Sequence, residues 1–202
     1  METPVRDRIV AAARRLVTER GFAATSVDAV LEVARASKGA FFHHFPTKAD
    51  LGRAIVEDYV ADDTALLDRL IAEGDSRSDD PADVLLYVTR SIEAMGAVPL
   101  DEQPSCLMVT FIYENQLDVA GIGEPVTRSI DHWRTRISEL LTRAARTKRS
   151  LRQEDISAIA DHFFVTIEGA FLLARATGDA SVLSRQVGQL RRYLELLLTK
   201  RK

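Results

Sequence analysis

The sequence contains a single cysteine, Cys106, in 202 residues, so no disulfide can form within the chain. That suits a reducing compartment and sets the expectation of a cytoplasmic protein held together by packing alone. Proline and glycine are scarce, at six and ten, too few for a collagen-like or low-complexity chain. There is no basic excess: 27 Lys and Arg face 30 Asp and Glu, a formal net charge of −3. Taken alone, that total argues against a nucleic-acid binder, which usually carries a basic footprint. Long apolar runs are missing too. A spanning helix needs about 20 mostly apolar residues, and charge-free stretches such as 103–113 are far shorter, so we expect no membrane partner. Glu2, Arg6, Asp7 and Arg8 leave no apolar signal-peptide region after Met1. No Cys/His cluster fits zinc, and adjacent helical residues such as His43 and His44 point about 100° apart, so no metal is expected. There is no G-x-S-x-G, and Gly121-Ile122-Gly123 lacks the third glycine of a dinucleotide site. An enzyme and a cofactor are therefore not expected.

What remains is an ordinary globular composition, 46% hydrophobic and 28% charged, with length for one to two domains at about 150 residues each. The charge is uneven. Residues 1–48 hold eight bases and five acids, a net of +3, which leaves −6 on 49–202. Residues 50–102 hold 14 acids and four bases. A solvated helix face with a loop is the plain reading of that stretch; acids that keep this part off a polyanion are the sharper one.

Helical spacing dominates, and no segment sustains a period of two. Thr3-Pro4 reads as a cap followed by proline at the first helical position, and Gly21 as the terminator. Thr25 with Asp28 resembles a capping box, as does Thr47 with Asp50. Ser37 is the next cap, and Pro46 breaks the helix it opens. A long fourth helix runs through Leu51, Ile55, Tyr59, Leu67 and Leu70. GDSRSDDP (74–81) is a loop. Further helices are expected over 82–95, about 105–117, 124 to about 149, 155–176, and one carrying Leu183 to Leu197. The helix over 155–176 is apolar nearly all round, which predicts burial. The expectation is an all-α protein of about nine helices: a three-helix unit over 1–48 and a larger helical domain over 49–202.

The first unit has the physics of a helix-turn-helix. Its second helix spans 26–34, its turn is Arg35-Ala36, and its third helix, 37–44, would enter the major groove. Ser37 and Lys38 stand at the N-terminal end of that helix. Gly39 and Ala40 allow close backbone approach to bases. Phe41 and Phe45 share one face and should pack inward, while Phe42 and His43 face outward. His44 is expected to be structural. Lys48 opens the next helix, where its ammonium and free N–H groups can meet a phosphate.

The run 11–51, AAARRLVTERGFAATSVDAVLEVARASKGAFFHHFPTKADL, resembles the TetR family of one-component transcriptional regulators. The residues that carry the resemblance are Gly21-Phe22, Thr25, Ser37-Lys38-Gly39, Phe41-Phe42, His44-Phe45 and Lys48. It implies DNA contacts from Thr25, Ser26, Arg35, Ser37, Lys38, Gly39, Ala40, Phe42, His43 and Lys48. Two positions depart from the pattern. Arg35 stands where the family often has glycine, and either takes a strained angle or alters the turn; its guanidinium could then reach a phosphate. Phe42 stands where tyrosine is usual, so a phenolic phosphate contact is lost and ring packing remains.

For the larger domain the sequence speaks less clearly. Tyr87, Met95, Cys106, Met108, Phe111, Trp133, Phe163, Phe164 and Glu168 could line an adaptable apolar cavity, though each alone is more often core. His132, His162 and Glu114 are further polar candidates there. Cys106 is expected to be a buried or pocket-lining thiol, not a redox switch. Leu183, Val187, Leu190, Leu194 and Leu197 form a heptad-like seam that could close the chain's own bundle. The resemblance implies instead that the last two helices pair with those of a second subunit, with Phe171 and the seam at the interface. The function expected is a homodimeric repressor, released from a palindromic double-stranded DNA operator by a small apolar or amphipathic effector. An activator, a protein-responsive regulator, or a ligand-binding module without DNA binding is the alternative.

Overall fold

The computed structural model describes residues 3–98, 107–114, 116, 118 and 121–199. Among them are nine α-helices and no strand: α1 (Val5–Arg20), α2 (Val27–Ala34), α3 (Lys38–His44), α4 (Lys48–Asp75), α5 (Pro81–Met95), α6 (Leu107–Tyr113), α7 (Gly123–Ala144), α8 (Ile156–Thr177) and α9 (Ser181–Thr199). A 3-10 turn, Arg149–Gln153, separates α7 from α8. The all-α expectation holds. Cys106, a candidate for the apolar cavity, lies outside the described residues, as do both ends of the helix expected over 105–117.

Local chemistry sets most helix ends. Ser37 accepts a hydrogen bond from the Ala40 N–H (3.1 Å), and Asp80 and Asp155 cap α5 and α8 in the same way. At α4 the Thr47 hydroxyl takes the Asp50 N–H (3.1 Å) while the Asp50 carboxylate takes the Thr47 N–H (2.9 Å). Each such cap is worth about 1 kcal/mol. Two expected caps are corrected. Pro4 is itself the N-cap of α1, with no side-chain cap bond. Ser26, not Thr25, caps α2, taking the Ala29 N–H at 3.1 Å. Thr25 is buried and donates to the Gly21 carbonyl (2.7 Å), so it ties the α1–α2 loop together. Helix α7 ends at Ala144, short of the expected position, where the Arg152 guanidinium donates to the carbonyls of Ala145 and Arg146.

The chain packs as two compact units. The first is Met1–Asp62 with Ser105–Arg128, and the second is Asp63–Pro104 with Ser129–Lys202. The division crosses α4 and α7, so packing does not follow a boundary after residue 48, and α6 belongs with the first three helices. In the first unit Ile9, Ala13, Leu16, Val17, Val30, Phe41, Ile55, Met108 and Phe111 are buried together with Phe22. The ring of Phe22 lies against Phe111, with centroids 4.9 Å apart.

The second unit is built on α5, α8 and α9, with α9 against both of the others. This corrects the placing of the heptad seam. Leu183, Val187, Leu190, Leu194 and Leu197 are each at most 4% exposed within the single chain. They pack with Leu85, Val88, Ile137, Leu141, Phe163 and Ile167 in one core, and Phe171 lies partly buried against it. A seam already buried has no area left to offer a second subunit. Helix α8 is corrected in the opposite sense. Ile159, Phe163, Ile167, Ala170 and Ala174 face the core, but Val165, Leu172 and Leu173 are exposed. By length and composition α8 could cross a membrane, with a mean hydropathy of 1.5. Counting charge-free runs misses it, because Asp161 and Glu168 interrupt a helix that is apolar on average. One such helix with its inner face in a protein core is weak support for a span.

Candidate DNA-binding interface

Helix α3 shows two chemically distinct faces. Phe41 is fully buried and Phe45 nearly so, with their rings 5.7 Å apart. On the other side Lys38, Gly39, Phe42 and His43 are exposed, Phe42 by 56%. A large aromatic ring held out in water costs hydrophobic free energy, about 25 cal/mol per Å² left unburied. Gly39 adds a second sign. A Cβ placed there would meet nothing closer than the Ser37 hydroxyl at 3.9 Å. The chain itself therefore leaves room for a side chain at this position.

The turn before α3 is formed by Arg35 and held by Arg8, whose part no sequence pattern announced. Arg35 takes the left-handed conformation (φ 50°, ψ 48°), the only non-glycine residue at positive φ among the described residues. This conformation ends α2: the Ala36 N–H returns to the Leu31 carbonyl at 3.0 Å. Arg8 then reaches across from α1, donating to the Ala34 carbonyl (3.2 Å) and the Arg35 carbonyl (3.4 Å). Those are the acceptors a helix end leaves unmatched. No local pattern links positions 26 residues apart, so sequence spacing could not have found the contact.

Two cations of this face already have partners. Lys38 pairs with Asp28 at 2.9 Å, both largely exposed. Lys48 donates to the Ala23 carbonyl (3.2 Å) and lies 4.6 Å from the centre of the Phe22 ring. Partial burial pushes its pKa below the ordinary lysine value, while the Glu114 carboxylate pulls it back up. His43 and His44 are both exposed, with ring centroids 4.9 Å apart, and His44 also touches the Phe45 ring. Among the described residues no group of three or more metal-ligating side chains comes together.

The pocket candidates divide between the two units. Met108 and Phe111 are core residues of the first. In the second, Tyr87 is half-buried with its hydroxyl on Glu73 (2.7 Å), Met95 closes α5, and Phe163 is core. Phe164 packs against that core and Glu168 is half-buried. Trp133 is buried, and its indole N–H donates to Asp63 (2.7 Å). Asp63 also accepts from the Ser129 hydroxyl (2.8 Å), and burial raises its pKa above the ordinary 3.8. An open recess of about 760 Å³ in the second unit is lined by Asp131, Arg134, Ser138, Glu139, Arg143 and neighbours, and by none of the aromatic candidates. Of the other polar candidates, His132 faces Asp68 (3.3 Å) and His162 packs on Tyr193 at the surface.

Three short N-terminal helices with a packed inner face and an exposed, glycine-bearing third helix have the form of a helix-turn-helix, the reader of DNA-binding transcriptional regulators. Residues 9–55 match the model of the bacterial regulatory proteins of the tetR family. The transcriptional regulator AcuR of Cereibacter sphaeroides is 30% identical over 79% of this chain and 71% of its own. The HTH-type transcriptional repressor DhaR of a Mycobacterium species is 25% identical over 84% of this chain and 82% of its own. The crystal structure of a regulatory protein TetR from Rhodobacter sphaeroides superimposes with a TM-score of 0.77, covering 95% of this chain and 97% of that one at 25% identity. The chain belongs to the TetR family.

Proposed function

We propose that the protein is a homodimeric repressor that leaves a two-fold symmetric operator when a small apolar or amphipathic effector binds. The exposed face of α3 carries this reading. Lys38, Gly39, Phe42 and His43 stand out from a unit whose other face is packed, and the glycine leaves space that nothing in the chain fills. The relative DhaR bears the name repressor, which favours that sign of control. Thr25 serves the interface from beneath, through the loop, while Ser26, Ser37, Lys38, Ala40, Phe42, His43, Arg35 and Lys48 meet the duplex.

The second subunit would dock on the exposed sides of α8 and α9, where Val165, Leu172, Leu173, Tyr193 and Leu196 leave apolar area uncovered. An effector would act through differential affinity for two states of the molecule. Helix α4, which contributes to both units, is the element through which that difference would travel.

A duplex enriched by the protein from a random pool tests the reading. The enriched sequence should be palindromic. Lys48→Ala should weaken binding to every duplex and lower the salt slope by about 1. A pool that yields no enriched sequence would remove sequence-specific DNA binding. A true effector should raise the melting temperature and lower operator affinity together; a compound that raises both would reverse the sign of control.

A further inference from the structure

The loop between α1 and α2 is gripped by a residue far away in sequence. Glu114 directly follows α6, its N–H closing a last helical turn on the Thr110 carbonyl (3.1 Å). Its carboxylate accepts the Ala23 N–H at 2.8 Å. The ammonium of Lys48 holds the carbonyl of the same residue, Ala23, at 3.2 Å. One residue of the loop is thus clamped at its two polar groups, by an acid from α6 and a base from α4.

Gly21 is shaped to this grip. It stands at φ 86° and ψ 161°, a conformation open essentially to glycine alone. A Cβ on it would collide with the Glu114 carboxylate. Phe22, next along, lies with its ring tilted against Phe111 of α6, so the contact between this loop and α6 is both polar and aromatic.

We propose that Glu114 is a positioning residue for DNA binding: by holding Ala23 it fixes the α1–α2 loop against which Lys48 is braced, and so sets where the ammonium meets a phosphate. The inference rests on the reading of Lys48 as a phosphate contact. It places an acid at the DNA-binding unit not as a ligand for DNA, which it would repel, but as the anchor of the residue that binds it. It also gives α6 a direct mechanical tie to the DNA-facing surface.

The test uses the full-length protein and the duplex that wild type enriches from a random pool. Glu114→Ala should weaken binding roughly tenfold, the loss expected when a charged hydrogen-bond partner is removed, and lower the salt slope by about 1. Glu114→Gln keeps an acceptor for the Ala23 N–H and should restore most of the affinity. Glu114→Asp keeps the charge on a shorter arm, and should behave like alanine. Hydrogen exchange at the Ala23 amide, measured without DNA, should be faster in the Ala and Asp variants than in wild type and Gln. Affinity equal to or above wild type in Glu114→Ala overturns the inference. So does a loss with an unchanged salt slope, or one that glutamine does not rescue. If wild type enriches no duplex, the DNA-binding reading itself fails, and this inference falls with it. Normal enrichment with an indifferent Glu114 sinks only the inference.

Discussion

Arg35 sits at φ 50° where a glycine would be unstrained, and the cost of a non-glycine residue there is about 1–3 kcal/mol. The Arg8 guanidinium on the Ala34 and Arg35 carbonyls offsets part of it. Arg35→Gly should therefore raise the melting temperature by a few degrees, at about 2–4 °C per kcal/mol for a chain of this size. If the Arg35 side chain meets a phosphate, the same variant should bind DNA more weakly, so thermal melting and operator affinity move in opposite directions. A fall in melting temperature would show the left-handed turn to be unstrained. Asp63 supplies a second residue-scale expectation. Desolvation raises its pKa first, and the Ser129 and Trp133 hydrogen bonds pull it back. A raised carboxylate pKa means the folded state holds the proton more tightly than the unfolded one. Its stabilisation is complete below the ordinary aspartate value and is lost as pH rises through the folded value. Asp63→Asn stays uncharged and keeps an acceptor for both donors. Urea unfolding should then favour the variant over wild type more at neutral pH than in mild acid. The reverse trend would mean that the ionised carboxylate is the form the fold prefers.

At the scale of elements, the proposed docking of a second subunit rests on α8 and α9. Leu190 and Leu194 are core, so glutamate at either leaves a charge buried in an apolar cluster and should unfold the second unit instead of releasing folded monomers. Val165 and Leu196 are 64% and 66% exposed. Val165→Glu with Leu196→Glu should leave helicity and melting cooperativity of the single chain intact while shifting sedimentation from dimer to monomer. A dimer that survives this pair places the interface elsewhere. The heptad spacing of the last helix was legible in the sequence; which of two partners it meets was not. The same 4-3-4 spacing suits an intrachain core and an intersubunit seam, and only the position of α5 and α8 beside α9 distinguishes them.

For the molecule as a whole, the net charge of −3 is compatible with DNA binding because its parts differ. Residues 1–48 are modestly basic, and two of their cations are individually placed: Lys38 on Asp28, Lys48 on Ala23. Binding should depend on these contacts and on helix N-termini more than on a broad basic field. Local patterns fixed what local forces control. The caps at Ser37 and Thr47-Asp50, the break at Pro46, the inward Phe41 and outward Phe42, and the family itself could all be read from adjacent residues, because backbone capping and amphipathic spacing act over three or four positions. Contacts between distant residues could not. Glu114 on Ala23 spans 91 positions, Trp133 on Asp63 spans 70, and Arg8 on Ala34 spans 26. Such pairs form only when folded helices bring their faces together, so no spacing rule encodes them. For the same reason the sequence could nominate Phe111 and Trp133 for one cavity. The tertiary structure decided that the first belongs with Phe22 in the recognition unit and the second with Asp63 in the other.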